Sequence, residues 1–270
     1  SEMCIRDRKI LINTGFQSSE DRLFLLDPTT TTSSNVTPTA GTVVISGATI
    51  TFNYDVSTGV LTLSSGAISQ DIYQEALRRV AYRNISDTPT AGTRGIEMLA
   101  DNMFVRRDGD GLPHFYEMVA ANDARVRTAG NQSYGSTISW TDAKAEAEQL
   151  YYAGIQGYLA TITSSDESTF LTSRLLNDSW IGASDSATEG EWRWVTGPEA
   201  GTSAELFWKS GTGVVTYSNW ATGEPNNAGG NEDYAQMLAS GGGNSGKWND
   251  LSSSNKRNYF LVEYSSPNVT

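Results

Sequence analysis

Side-chain oxygens are concentrated in one Gly- and Asn-rich stretch that runs from Asn219 to Asp250 and contains neither His nor Cys. Carboxylate and amide oxygens are the ligands that a hard cation such as Ca²⁺ takes, about six to eight at a time and in irregular geometry. In an arbitrary loop the same residues more often only supply turn conformations. The polar residues fall into three clusters, Glu224-Pro225-Asn226, Asn231-Glu232-Asp233 and Trp248-Asn249-Asp250.

The order and spacing of these clusters resemble the long loop of C-type lectin domains, whose EPN and WND motifs hold a Ca²⁺ ion that binds sugar directly. The resemblance implies a cis peptide bond between Glu224 and Pro225, an isomer that is accessible only before proline. It also implies that two vicinal sugar hydroxyls complete the ion's shell, each donating to a carboxylate and accepting from an amide. The implied ligands of this principal ion, which also contact the sugar, are Glu224, Asn226, Glu232, Asn249 and Asp250.

A second calcium site is implied by the same resemblance. Asp185 and Glu189 match an auxiliary-site pair of mannose-binding relatives, and Asp233 matches a third ligand. Asn227 stands where those relatives carry Asp, which removes one formal charge. The alternative is that Asp185 and Glu189 only cap a solvent-facing turn.

The resemblance also implies which class of sugar is bound. The order Glu–Pro–Asn accompanies mannose, fucose, glucose or N-acetylglucosamine in relatives, whereas Gln–Pro–Asp accompanies galactose. We favour fucose-bearing glycans, since host and algal surfaces display them terminally. One such site should bind weakly, so adhesion would need many copies.

The elements that must position this loop can be read from Pro113 onwards. The β-rich run His114–Val119 predicts the first strand of the lectin-like part. Ser139 should cap the first helix, and Ser164-x-x-Glu167 is the capping box of a second. The buried stripe of the first helix is Trp140, Ala143, Ala147 and Leu150.

Tryptophans surround the candidate ligands in sequence. Trp180-Ile181-Gly182-Ala183 stands at the place of the family's core WIGL motif, and we expect most of the tryptophans near it to be core rather than a sugar-stacking platform. Trp248 should anchor the strand that carries Asn249 and Asp250. Vertebrate members usually carry two disulfides, but the only cysteine is Cys4, so packing and metal must replace them. The positions that match one family pair are Tyr234 and Ser253.

Residues 9–107 read as a separate β unit. Thr49–Tyr54 and Val60–Leu63, separated by a turn, predict a hairpin, and Ile72, Tyr73, Ala76 and Leu77 fall on one helical face. The stretch from Val43 to Leu99 resembles the cadherin-like repeats of large bacterial surface adhesins of the RTX type. Its implied role is to space and present the lectin part, as one monomeric module within a larger adhesin.

Composition excludes several classes of function. A net charge of −12 and a pI near 4.5 argue against nucleic acid or an anionic membrane as the partner. No apolar run is long enough for a transmembrane helix. A single histidine, His114, leaves no Ser–His–Asp or Cys–His arrangement, and zinc lacks its usual ligands. We therefore expect a binding module and not an enzyme.

The sequence thus predicts an α+β chain: a C-type lectin fold with two helices, two small antiparallel sheets and a long calcium-binding loop, joined to a β-sandwich-like scaffold. We assign residues 1–8 to a cloning or assembly remnant, 9–107 to the scaffold, 108–266 to the lectin domain and 267–270 to a tail. The expected cofactor is Ca²⁺, the partners are cell-surface glycans, and the location is extracellular. The alternative is a peptide-, protein- or ice-binding module on the same fold.

Overall fold

The structure is a computed structural model that describes residues 7–27, 39–66, 68–99, 103–107, 112–127, 131, 133–152, 154–200, 205–239 and 243–265. The chain forms two compact units, Ser1–Arg107 and Asp108–Thr270. Cys4, the Asp108–Gly111 turn and the 267–270 tail lie outside the described residues. No helix of the described part is long and apolar enough to cross a bilayer.

The first unit is a β-rich layer structure with one helix. A five-stranded antiparallel sheet has the order β3-β4-β5-β1-β7, and β2 pairs with β6. The predicted hairpin is confirmed as β4 and β5, which pair from Thr51–Ser64 to Asp55–Val60. The bounds are β1 Asp7–Thr14, β2 Asp21–Leu25, β3 Ala40–Ile45, β4 Ala48–Asp55, β5 Val60–Ser64, α1 Gln70–Arg78, β6 Val80–Asn84, β7 Gly95–Leu99 and β8 Met103–Arg107.

Alternation along the strands builds the core of this unit. Ile50, Phe52 and Tyr54 of β4 are buried, while the residues between them are exposed. They share one hydrophobic cluster with side chains of β1, β2, β3 and β5 and with Ala76 of α1. Arg107 at the end of β8 donates to the carbonyls of Thr58 (2.9 Å) and Ile12.

The second unit is α+β, with two helices against a branched sheet. The main path runs β16-β15-β14-β13-β19-β9, and β12, β17 and β18 branch from it. The antiparallel parts are joined by a parallel pairing of β13 with β19 at Ser179–Tyr259 and Trp180–Phe260. The bounds are β9 Pro113–Ala120, α2 Trp140–Ala147, β10 Tyr151–Tyr152, β11 Ile155–Gln156, β12 Tyr158–Leu159, α3 Ser165–Thr172, β13 Ser179–Ser184, β14 Glu191–Trp194, β15 Leu206–Lys209, β16 Gly213–Val214, β17 Tyr234–Met237, β18 Trp248–Leu251 and β19 Tyr259–Tyr264, with 3₁₀ turns at Pro198–Ala200 and Ala228–Gly230.

Both helix starts agree with the sequence. The Ser139 hydroxyl accepts from the Asp142 N–H (3.2 Å), and the Ser164 hydroxyl accepts from the Glu167 N–H (3.2 Å). The capping box differs in one contact, because Glu167 accepts from the N–H of Thr163 (2.8 Å), one residue before the cap. The predicted stripe of Trp140, Ala143, Ala147 and Leu150 is buried.

Aromatic packing occupies one position that corresponds to a family cysteine. The Tyr234 ring stacks on Trp140 with centroids 4.7 Å apart. This contact links the first residue of β17 to the first residue of α2, whereas the matching family disulfide would join the positions of Tyr234 and Ser253.

Candidate functional site

Strand β18 brings the WND residues to the centre of the unit. It pairs antiparallel with β17, placing Asn249 opposite Gln236 and Asp250 opposite Ala235. Trp248 is fully buried, with its ring 5.5 Å from Trp194 and 5.8 Å from Trp220. Because this indole is enclosed by other rings, it fixes the position of the two polar residues that follow it.

Asp250 holds the EPN segment against β18. Its carboxylate accepts from the backbone N–H groups of Asn226 (3.2 Å) and Asn227 (2.8 Å). The peptide bond between Glu224 and Pro225 is cis, as the resemblance implies. The Asn249 side-chain amide donates to the Asp250 carbonyl (2.9 Å). The EPN and WND motifs, which are distant in sequence, therefore share one hydrogen-bonded site.

Glu232 closes the same loop from the other side. Its carboxylate accepts from the Ala228 N–H (2.8 Å), and its own N–H donates to the Asn227 side-chain oxygen (3.0 Å). Asn227 adopts a left-handed backbone conformation with φ of 46°. Asn227 thus connects the Glu232 and Asp250 sides of the principal site.

Glu224 is the least satisfied member of the site. Its Oε2 atom is buried and has no hydrogen-bond partner. Burial, followed by a hydrogen bond shared with Asp250 and the negative charges of Asp250 and Glu232, raises the pKa of the Glu224 carboxyl to about 7. The negative charges of Asp250 and Glu232 therefore disfavour the ionised form of the Glu224 carboxyl at this site.

This donor set fits a hard cation better than it fits a closed protein network. The described residues contain no group of three or more carboxylate, imidazole or thiol side chains that could bind a metal by themselves. A cation at this loop must therefore also use amide and carbonyl oxygens. Ca²⁺ accepts such a mixed shell of oxygens.

The second candidate site also contains a buried carboxylate oxygen without a hydrogen-bond partner. Asp185 is 2% exposed, and its Oδ2 accepts from the Gly190 N–H (2.9 Å), while its Oδ1 is buried without a partner. Burial, with the charges of Glu189 and Asp233, raises the pKa of Asp185 to about 6. One oxygen thus caps the turn, as the simpler interpretation expects, and the other remains unsatisfied. The Asn227 side-chain oxygen is engaged with Glu232 instead.

The aromatic residues near the site divide into core and border. Trp180, Trp192, Trp194 and Trp248 are fully buried, as expected of core residues. Trp208 and Trp220 are only half-buried. The sequence pattern did not separate these two groups, because each of the six tryptophans is next to at least one polar or charged residue.

Sequence reasoning missed the partners of three buried carboxylates, two in strands β9 and β19 and one in helix α3. Glu263 lies 2.8 Å from His114 Nδ1, and Glu167 accepts from the Tyr116 hydroxyl (2.7 Å). Glu117 accepts from the Tyr264 hydroxyl (2.9 Å) and from Arg125. These contacts give His114 a structural partner. The available signal was the presence of Glu at inward positions of two otherwise apolar strands.

Comparisons with known proteins give one family match and several relatives. Residues 136–261 match the family model described as "Lectin C-type domain". The chain is similar to halomucin of Haloquadratum walsbyi, at 35% identity over 84% of this chain and 2% of that protein. It is also similar to the hepatic lectin of Gallus gallus, at 38% identity over 43% of this chain and 45% of that protein. Among solved structures, the cow CD23 carbohydrate-recognition domain is 27% identical with a TM-score of 0.38, covering 57% of this chain and 89% of that one.

Residues 136–261 therefore match the C-type lectin domain, and the α+β fold expected for the second unit is confirmed. Domains of this family are non-enzymatic modules that generally bind carbohydrate. The chain spans less than half the length of either of the two curated relatives described above.

Proposed function

We propose that the lectin domain binds carbohydrate through a Ca²⁺ ion held by Glu224, Asn226, Glu232, Asn249 and Asp250. The observation that carries this proposal is the buried, unpartnered Oε2 of Glu224 beside two further carboxylates. Leaving a buried carboxyl oxygen without a hydrogen-bond partner costs about 1–3 kcal/mol, and more when the group is charged. A bound cation removes that cost.

The proposed ligands have different roles in binding. Asp250 accepts hydrogen bonds from two backbone N–H groups and so fixes the loop. Glu224 and Glu232 supply negative charge that would attract the cation. When bound, Ca²⁺ supplies open coordination positions for two oxygens of a ligand. The carboxylates can then accept hydrogen bonds from sugar hydroxyls, and the amides of Asn226 and Asn249 can donate to them. This arrangement selects a pair of vicinal hydroxyls.

We propose sugars of the mannose, fucose and N-acetylglucosamine type as ligands, because Glu224 precedes Asn226 in the order that accompanies these sugars in relatives. A second Ca²⁺ at Asp185, Glu189, Asn227 and Asp233 would support the loop. Asp185 supports this assignment with its own buried, unpartnered oxygen. We further propose that the module acts in adhesion at a bacterial cell surface, with residues 9–107 as a spacer.

A glycan array probed in millimolar Ca²⁺ and again in EDTA tests the proposal. We expect binding to fucose- or mannose-terminated glycans in Ca²⁺ only, and this binding should be lost in Asp250→Asn. The matched control is Asp71→Asn, an exposed carboxylate in α1, which should bind as the unmodified chain does. Equal binding with and without EDTA would rule out the calcium mechanism.

A further inference from the structure

A strip of apolar side chains crosses the β14–β15–β16 strands of the lectin domain. Trp192 lies opposite Trp208, and Trp208 lies opposite Val214. Residues directly opposite each other in antiparallel strands project from the same face. Exposure increases along this strip, because Trp192 is 1% exposed, Trp208 is half-buried and Val214 is 55% exposed. The neighbouring Val215 is 50% exposed.

Trp220 connects the strip to the candidate calcium loop. Its ring centroid lies 4.6 Å from that of Trp192 and 6.4 Å from that of Trp208, edge-on in both cases. The chain then turns into the EPN segment, where the Glu224 N–H donates to the Ala221 carbonyl (3.0 Å). Trp208 and Trp192 of the strip are therefore connected, through Trp220, with the loop that carries Glu224.

The strip carries no charged side chain. The charges of the same strands stand at alternate positions and form their own pairs, since Glu191 lies 2.9 Å from Arg193 and 2.6 Å from Lys209. An uncharged surface on a chain of net charge −12 does not fit a charged partner. A half-exposed indole bordered by the exposed Val214 instead fits a neutral ligand with a flat apolar face.

We propose that Trp208, Val214 and Trp220 form a second subsite, which binds the C–H face of the sugar ring next to the calcium-bound sugar. The proposal rests on the function proposed above. It makes the preferred ligand an oligosaccharide with a neutral second pyranose, rather than a single terminal sugar. The indole of Trp208 would pack against the ring's C–H groups, and Val214 would cover the edge of the ring.

Calorimetric titration in millimolar Ca²⁺ tests this subsite. The ligands are the methyl glycoside of mannose or fucose and a panel of disaccharides that end in the same sugar. We expect at least one disaccharide to bind about fivefold tighter than the methyl glycoside, the factor that one good aromatic contact contributes. In Trp208→Ala this gain should fall below about twofold, while affinity for the methyl glycoside stays unchanged.

Val214→Ser provides a second variant whose fold is not at risk, because the side chain is exposed. It should also reduce the gain, whereas Val44→Ser, an equally exposed valine in β3, should leave it intact. The second subsite is wrong if no disaccharide binds more tightly than the methyl glycoside, or if the gain survives in both variants. It is also wrong if an octyl glycoside, titrated beside the disaccharides, is the one ligand that binds more tightly than the methyl glycoside. Failure of every methyl glycoside to bind in Ca²⁺ would instead overturn the proposed function, and the subsite with it.

Discussion

At the scale of single residues, the two candidate calcium sites share one physical signature. Each contains a buried carboxylate oxygen without a hydrogen-bond partner, Oε2 of Glu224 and Oδ1 of Asp185. Buried polar atoms in folded proteins nearly always have partners. Of the six such atoms found among the described side chains, these two coincide with ligands expected from the sequence. The coincidence links the sequence pattern to the electrostatics of the fold.

Exchanging the charged and amide groups of the EPN segment should change the sugar that is bound. In the double variant Glu224→Gln with Asn226→Asp, total charge and side-chain size are nearly kept, but the acceptor and the donor trade places. We expect affinity for mannose and fucose to fall at least about tenfold, a loss equal to about one charge-assisted hydrogen bond, with residual affinity moving towards galactose. Calorimetry with all three sugars measures this. Unchanged sugar binding in a variant that still binds Ca²⁺ would contradict the vicinal-diol mechanism.

The substitution Asp185→Asn should have opposite effects in the absence and presence of calcium. Without Ca²⁺ it removes a buried charge with one unpartnered oxygen, so the melting temperature of the lectin domain should rise by a few degrees, since about 1 kcal/mol corresponds to about 2–4 °C at this size. With Ca²⁺ the further rise should be smaller than in the unmodified chain, because a ligand is weakened. Thermal melts in EDTA and in millimolar Ca²⁺ distinguish the cases. A lower melting temperature in EDTA would show that the charge stabilises the turn.

At the scale of elements, the sequence predicted the pieces that depend on local signals. Ser139 and Ser164 mark the two helix starts because a hydroxyl cap acts on residues three positions away. The β4–β5 hairpin follows from alternation on both sides of a turn. The proposed ligands could be named because the EPN and WND motifs resemble those of a known family.

Contacts between distant elements could not be predicted in the same way. The parallel pairing of β13 with β19 joins residues 80 positions apart, Ser179 and Tyr259, and no local pattern encodes it. The contacts of Glu117, Glu167 and Glu263 were missed for the same reason, since each carboxylate contacts a residue of another element.

The contact between Glu20, which precedes β2, and Thr90, which precedes β7, should be sensitive to acid. Hydrogen bonds from Thr90 and Asn84 lower the pKa of Glu20 to about 2 from an ordinary value of 4.5. A carboxyl whose pKa is lower in the folded state stabilises the fold above its unfolded pKa, and this contribution disappears as pH falls from 4.5 towards 2. Calorimetric melts of Glu20→Gln across that range should show a weaker pH dependence than the unmodified chain. Identical pH profiles would show that this carboxylate does not act through ionisation.

At the scale of the whole molecule, we propose that residues 9–107 and 108–266 are tandem domains. Limited proteolysis with an enzyme specific for Asp should cut at Asp108 or Asp110 and release two resistant fragments. Trypsin should act less readily at Arg107, because its guanidinium donates to the Thr58 carbonyl and lies 4.5 Å from the Phe16 ring. Resistance of the whole junction to every protease would favour a lectin domain inserted into the scaffold.

Calcium should stabilise one unit selectively, because every proposed ligand lies between Asp185 and Asp250. All seven tryptophans lie beyond residue 139, so tryptophan fluorescence follows the unfolding of the lectin domain, while calorimetry follows both units.

Extracellular modules bind Ca²⁺ with dissociation constants of about 0.1–1 mM, and at 100 times the dissociation constant a ligand adds about 2.7 kcal/mol to stability. The fluorescence-detected melting temperature should therefore rise by several degrees between EDTA and excess Ca²⁺, and Mg²⁺ at the same concentration should raise it less because it prefers a smaller octahedral shell. The calorimetric transition of the first unit should move less than the fluorescence transition. Coincident fluorescence melts in EDTA and excess Ca²⁺ would mean that the carboxylates of this loop do not hold the ion.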